Sequence, residues 1–345
     1  MVCNKIVSAL RPKSLRRKYF LMSETSFQEY QDTPANRREL VAFLERPGSL
    51  RPPQGTWDQR LTHWWDENPF AALNPYRGRI VYSENRIVGY GGAIPAGYAL
   101  HGQHLPVLLA TTLEVAPEYP KAGLSILLKM RALAEEIPVF HTTPSPKLQH
   151  TLEKMESLAE TRVRCHFYPC GGLSWLQRRR WPSLDSSVRL VSSVDEVLAV
   201  ARPFQKADRI EKWRSLESLR WYLATPTREQ YLIAAVDASD TLHSFLVVKP
   251  RLVRGLPAWD VIDAFTTRDD YSELHALAGC ITSDPTLLPQ KAQLLTVSAF
   301  PDDSTWDATP GTLTREQHVC HHFMMPESLR GTPKHTVMAE GDLVL

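Results

Sequence analysis

At 345 residues the chain is long enough for two domains with full cores. Its 40 Lys and Arg nearly balance 38 Asp and Glu, and a net charge of +2 excludes a general nucleic-acid binder, which needs many uncompensated basic groups. No apolar run approaches the ~18 residues of a membrane span, and five scattered cysteines (Cys3, Cys165, Cys170, Cys280, Cys320) suit a reducing cytoplasm better than a disulfide framework.

Residues 1–22 open with six basic side chains (Lys5, Arg11, Lys13, Arg16, Arg17, Lys18) and no acidic one. Pro12 and the lack of a long apolar core argue against a signal peptide, so a disordered basic tail is expected, with Met22 a natural alternative start. Trp57 and His63-Trp64-Trp65 fit an N-terminal helix packed on a sheet, and could also wall an acceptor pocket. Residues 78–83 then alternate like a half-buried strand, Glu84-Asn85-Arg86 turns, and 87–94 forms a second strand. His101-Gly102-Gln103 turns again into an apolar strand over 105–115.

That strand meets Pro117, passes small residues and opens directly into an apolar-periodic helix over 124–136. Free backbone N–H groups and the positive end of the dipole converge at such a helix start, a natural seat for a pyrophosphate. Gly123 permits close backbone approach, and Ser125 is too small to block it. A short strand (137–141) and a helix (146–159, Ser145 as N-cap) follow, and 163–168 reads as another strand.

After Trp175 to Trp181 the pattern restarts. Helices are expected over 194–201 and 210–223, strands over 231–236, 242–248 and 259–265, a helix over 271–281 and a strand over 294–298. The second loop, Thr266-Thr267-Arg268-Asp269-Asp270, has no Gly and adds two carboxylates where an anion would sit. Cys165-His166 with Cys170, and Cys320-His321-His322, lack paired C-x-x-C spacing, so no metal is expected. Arg178-Arg179-Arg180, between Trp175 and Trp181, could contact phosphate, and an exposed linker between halves explains it as well.

The stretch Leu113 to Leu128 resembles the acyl-CoA loop of the GCN5-related N-acetyltransferases (GNAT), V-x-P-x-[YF]-[RQ]-x-x-G-x-[GA] before an apolar helix. Val115, Pro117, Tyr119 and Gly123 match; Pro120 replaces Arg or Gln, and Ser125 replaces Gly or Ala. The resemblance covers residues 57–172 in meander, loop, helix, strand and helix order. Gly341-Asp342 resembles the usual ending of tandem members. It implies an α/β (α+β) fold of two GNAT-like domains, each a mixed, mainly antiparallel sheet flanked by helices. The division is 1–22 as tail, 23–182 as the cofactor-binding half and 183–345 as a half with a degenerate loop.

The same resemblance implies acetyl-CoA as co-substrate, held by Leu113, Val115, Lys121, Ala122, Gly123, Leu124 and Ser125. It implies an N-acyltransferase acting on a small-molecule or peptide amine in the cytoplasm, with Glu114 as the candidate base. Leu152 occupies the position of the family's acidic Tyr and cannot donate a proton; His141 or His150 stand nearby. Two alternatives remain: a catalytically degenerate module that binds CoA or a partner, and a tRNA-dependent aminoacyltransferase of tandem-GNAT type.

Overall fold

The computed structural model describes residues 25–49, 56–142, 144–155, 157–176, 181–284, 286–300, 303–307 and 313–338. The basic segment 1–22, Glu156, the three arginines 178–180 and Gly341-Asp342 lie outside them.

The first half begins with β1 (Thr25–Glu29) and two helices, α1 (Pro34–Leu44) and α2 (Trp57–Trp65). Thr33 and Thr56 accept first-turn backbone N–H groups, and Gln59 completes a capping box on α2. The meander is β2 (Gly78–Ser83), β3 (Arg86–Leu100) and β4 (Gln103–Val115). Both its turns carry two residues at positive φ: Glu84 and Asn85 at 49° and 58°, His101 and Gly102 at 53° and 73°. That conformation matches the twist of the flanking strands, as tight hairpins require. Next come α3 (Pro120–Leu133), β5 (Val139–Thr142), α4 (Pro146–Lys154) and β6 (Leu158–Pro169). Helix α3 starts four residues before the 124–136 expected, because Pro120 is pre-set for the first helical turn. Helix α4 stops at Lys154, short of the expected 159, because Leu158 and Ala159 pair with Phe323 and His322.

The second half contains β7 (Arg189–Val191), β8 (Ala199–Val200), β9 (Glu211–Lys212), α5 (Leu216–Leu223), β10 (Tyr231–Val236), β11 (Thr241–Val253), β12 (Leu256–Thr266), α6 (Ser272–Ser283), β13 (Leu294–Ala299) and β14 (Leu313–Met324). Two expected helices differ. Segment 194–201 is a single 3₁₀ turn followed by β8, because Leu198 and Ala201 donate backbone hydrogen bonds to Asp240 and Leu242. Segment 210–223 is helical only from Leu216, where Ser215 and Ser218 form a capping box; Glu211 and Lys212 instead pair with β3.

Each half is a mixed, mainly antiparallel sheet flanked by helices, and the halves join edge to edge. The order is β1-β2-β3-β4-β5-β14-β6-β13-β12-β11-β10-β7, with β8 on β11 and β9 on β3. The join is a reciprocal exchange. Strand β14, from late in the chain, inserts beside β5 of the first half; β6, from the first half, pairs with β13 of the second. One apolar cluster, including Trp64, Tyr98, Leu109, Trp221, Phe245 and Phe265, spans both halves on the α1–α2 side of the sheet. A separate cluster lies under α3 and α4, on the other side.

Candidate functional site

Strands β4 and β5 run parallel for only three pairs, Leu108–Val139, Leu109–Phe140 and Ala110–His141. Beyond Ala110 they part. Residues Thr111 to Val115 remain paired with β3 on one edge, apart from Thr112, and lack β5 on the other. The result is a wedge-shaped opening at the C-terminal end of two parallel strands, floored by α3.

The bulge in β4 sets which side chains enter it. Gly92 pairs with Thr111 and Gly91 with Leu113, so Thr112 has no partner on β3. Its φ of 46° is a left-handed value that a β-branched residue avoids. The extra residue reverses the alternation. Val107 and Leu109 face the α1–α2 side, whereas beyond the bulge Leu113 and Val115 pack against the cluster under α3. Glu114, opposite buried Tyr90, therefore points to the α1–α2 side. There its Oε1 accepts from Arg46 Nη2 at 2.8 Å, and the Arg46 guanidinium also lies 3.9 Å from the Phe43 ring centroid. In the second half β12 is bulged at Ile262, and no positive φ accompanies it.

Helix α3 lies close against the sheet: a Cβ on Gly91 would stand 2.4 Å from Ile126 Cγ2. Gly123, in the first turn, sits against Val115, whose Cγ2 would be 3.3 Å from an added Cβ. Ala122 is buried beneath the helix, while Lys121 and Leu124 are exposed and Ser125 half-buried at its start. The first turn combines no side-chain cap with no acidic residue: α1, α2, α4 and α5 are capped by Thr33, Thr56, Ser145 and Ser215, and α6, whose N-cap Tyr271 also gives no side-chain cap, carries Glu273 in its first turn. Six of the seven candidate cofactor residues thus gather around one helix start and the strand end beneath it, with Leu124 on the exposed flank. Glu114 stands on the opposite face of the sheet.

The equivalent turn of the second half is filled by the chain itself. Asp270 Oδ1 accepts from Ser272 N (2.9 Å) and Ser272 Oγ (2.6 Å) at the start of α6, and these bonds hold its carboxyl below the usual range. Buried Glu273 follows in the same turn. The gap beyond the β12–β13 pairing is lined by Trp306 and by residues 335–338, which lie against Asp263 and Ser298.

Leu152, at the position of the family's Tyr, is fully buried in the cluster under α3 and α4. His150 is exposed on the outer side of α4, beside Glu153. His141 is different. It is 5% exposed, lies on the α3–α4 face beside His322 of β14, and its Nε2 has no hydrogen-bond partner. Burial lowers its pKa to about 4, with His322 adding to the effect. Sequence reasoning placed His141 near the site but could not place Arg46, Thr112 or His322. Arg46 and His322 arrive from distant segments, and a bulge has no signature in a Thr-Thr pair.

Other cavities do not serve this opening. One, about 670 Å³, is lined by Leu105, Pro106, Ile137 and Pro138 and rimmed by Glu135 and Glu136. It lies at the far end of β4, eight residues or ~26 Å from Glu114 at the usual strand rise. Between the halves, Tyr98, Leu109, Trp213, Trp221 and the buried Arg214–Asp263 pair (2.8 Å) enclose about 40 Å³, room for little more than a water. Cys165 Sγ lies 3.0 Å from Ser298 Oγ, and among the described residues no three His, Cys, Asp or Glu side chains gather as a metal-binding group. No helix of the described residues is long and apolar enough to cross a membrane.

No family model and no curated protein matches the chain. Solved structures do. A conserved protein from Enterococcus faecalis V583, described as a probable N-acyltransferase, aligns over 89% of this chain and 74% of its own at a TM-score of 0.59 and 11% identity. A GCN5-related N-acetyltransferase from Anabaena variabilis ATCC 29413 aligns over 87% and 72% (TM-score 0.55, 12% identity). Eis1 from Mycobacterium abscessus aligns over 88% and 74% (TM-score 0.54, 12% identity). The fold is therefore the tandem GNAT-like fold, with two such halves in one chain.

Proposed function

We propose that this protein is an acyl-CoA-dependent N-acyltransferase, with acetyl-CoA as the donor and a small-molecule or peptide amine as acceptor. The first half, 23–182, holds the donor; the second, 183–345, has no cofactor of its own and works in the cytoplasm as part of the same unit. The observation that carries this reading is the parting of β4 and β5 above an uncapped, acid-free helix start at Gly123. The residues suit CoA. First-turn N–H groups of Lys121 and Gly123 and the helix dipole favour a pyrophosphate, with Ala122 N–H already closing the turn onto the Tyr119 carbonyl (2.9 Å), and the buried, unpartnered His141 Nε2 awaits a polar group. Leu124 and Ser125 flank the same turn.

When bound, acyl-CoA supplies an activated acyl carbonyl. The free edge from Leu113 to Val115 offers backbone N–H donors to the carbonyl oxygen as it gains charge. With α3 covering one face, an amine approaches from the α1–α2 side. Glu114 stands on that side to take its proton, with Arg46 fixing the carboxylate. Replacement of Tyr by buried Leu152 leaves proton return to the sulfur to water.

The degenerate-module alternative is favoured by that same Leu152, and acyl transfer distinguishes the two. Native mass spectrometry with acetyl-CoA tests the donor without a known acceptor. One molecule per chain is expected, and Gly123→Glu, which adds bulk and negative charge at the helix start, is expected to abolish it. No binding to the wild-type protein at millimolar acetyl-CoA overturns the assignment.

A further inference from the structure

His141 is the last residue of β5 to pair with β4, so its side chain lies at the apex of the opening. It shares a strand face with Val139, two residues earlier, which packs under α3. Five residues of β4, ~16 Å at the usual rise, separate Ala110 at the apex from Val115 beneath Gly123. An extended pantetheine arm spans that length, which brings the sulfur end of CoA to the apex when the pyrophosphate sits on α3.

The surroundings of His141 give no structural reason for an imidazole. The cluster under α3 and α4, on its face of the sheet, includes Leu152, Met155 and Met324, all apolar and buried. His322, opposite it on β14, is supplied by Ser157, whose Oγ lies 2.8 Å from Nδ1; His141 Nε2 has no such partner. A buried polar atom left unpaired costs about 1–3 kcal/mol, so an aliphatic side chain here would give a more stable fold.

Resting on the acyl-CoA reading above, we infer that His141 is a catalytic residue: its neutral imidazole donates Nε2–H to the CoA sulfur and stabilises it as the thiolate leaves. The amine nitrogen forms the new C–N bond and the C–S bond breaks, its electron pair departing on sulfur. The amine proton passes to Glu114 and on to solvent. A neutral imidazole is far too weak an acid to surrender its proton, so His141 only donates the hydrogen bond and water returns a proton to sulfur. This supplies by a different side chain, from the strand rather than from α4, the polar contact that Leu152 cannot make.

The test compares CoA with its dethia analogue, in which CH₃ replaces SH, by calorimetry on wild type, His141→Leu and His141→Gln, with thermal unfolding of each protein alone. At about pH 9.5, above the usual thiol pKa, CoA carries a thiolate, and wild type is expected to bind it about tenfold or more tightly than the analogue, the usual worth of a hydrogen bond to a charged acceptor. His141→Leu should bind the two alike while melting higher than wild type. His141→Gln, which keeps an N–H donor, should restore part of the preference. Equal preference in wild type and His141→Leu overturns the role of His141 and leaves the donor assignment intact. Failure of wild type to bind either compound overturns the donor assignment and this inference with it.

Discussion

Glu114 reaches the α1–α2 side of the sheet only because Thr112 bulges out of the β4 ladder and reverses the alternation that follows. If Glu114 is the base, Glu114→Gln should keep acetyl-CoA affinity but slow acyl transfer roughly 10²–10⁴-fold, with the residual rate rising with pH as free amine becomes abundant. Steady-state rates over pH 6–9 with a panel of amino sugars, polyamines and amino acids check this; an unchanged rate removes Glu114 from the chemistry. Histidine makes a second prediction. His141, at about 4 when folded against 6.5 for a free side chain, and His335, His322 and His63, all lowered by burial, take up protons more readily unfolded than folded. Their neutral forms leave stability undiminished above pH 6.5, and stability is lost as pH falls from there toward 4, by about 3 kcal/mol from His141 alone. Denaturant midpoints at pH 7.5 and 5 should show the drop, reduced in His141→Leu.

Helices α3 and α6 are the same element built twice with opposite starts, one bare and one occupied by Asp270 and Glu273. Asp270→Ala should therefore leave acetyl-CoA affinity unchanged while costing about 1 kcal/mol through the lost first-turn contacts, read from denaturant unfolding. This contrast was legible in the sequence, as were the β2 and β10 limits and the two meander turns. Strong local signals carry such elements: alternation, Glu-Asn and His-Gly turns, a proline before an apolar period. Strand β14 was not legible. Leu313–His318 is polar and mostly exposed, and only pairing with β6, some 150 residues earlier, makes it a strand. Segment 194–201 misled for the converse reason. Val194, Val197 and Ala201 have helical spacing, but hydrogen bonds to the β10–β11 turn override it. The site divides likewise: the helix start was visible locally, whereas Arg46–Glu114 and His141–His322 are contacts between distant segments.

Across the whole molecule the exchange of β6 and β14 makes each half's sheet depend on the other's strand. Calorimetry should show one cooperative unfolding transition, and a chain ending at residue 312 should lose near-native stability in both halves, seen as a collapse of the transition. Two separable transitions would contradict that coupling. The same arrangement sets an order of events at the ribosome. Strand β5 leaves the tunnel with its outer edge open, and about 170 residues must follow Thr142 before Leu313 emerges. At 5–20 residues per second that is roughly 10–30 s during which Val139–Thr142 offers an unpaired strand edge to any passing chain. The nascent protein is thus most prone to aggregate in the interval before β14 is made, and slow translation of residues 143–312 should lower its soluble yield.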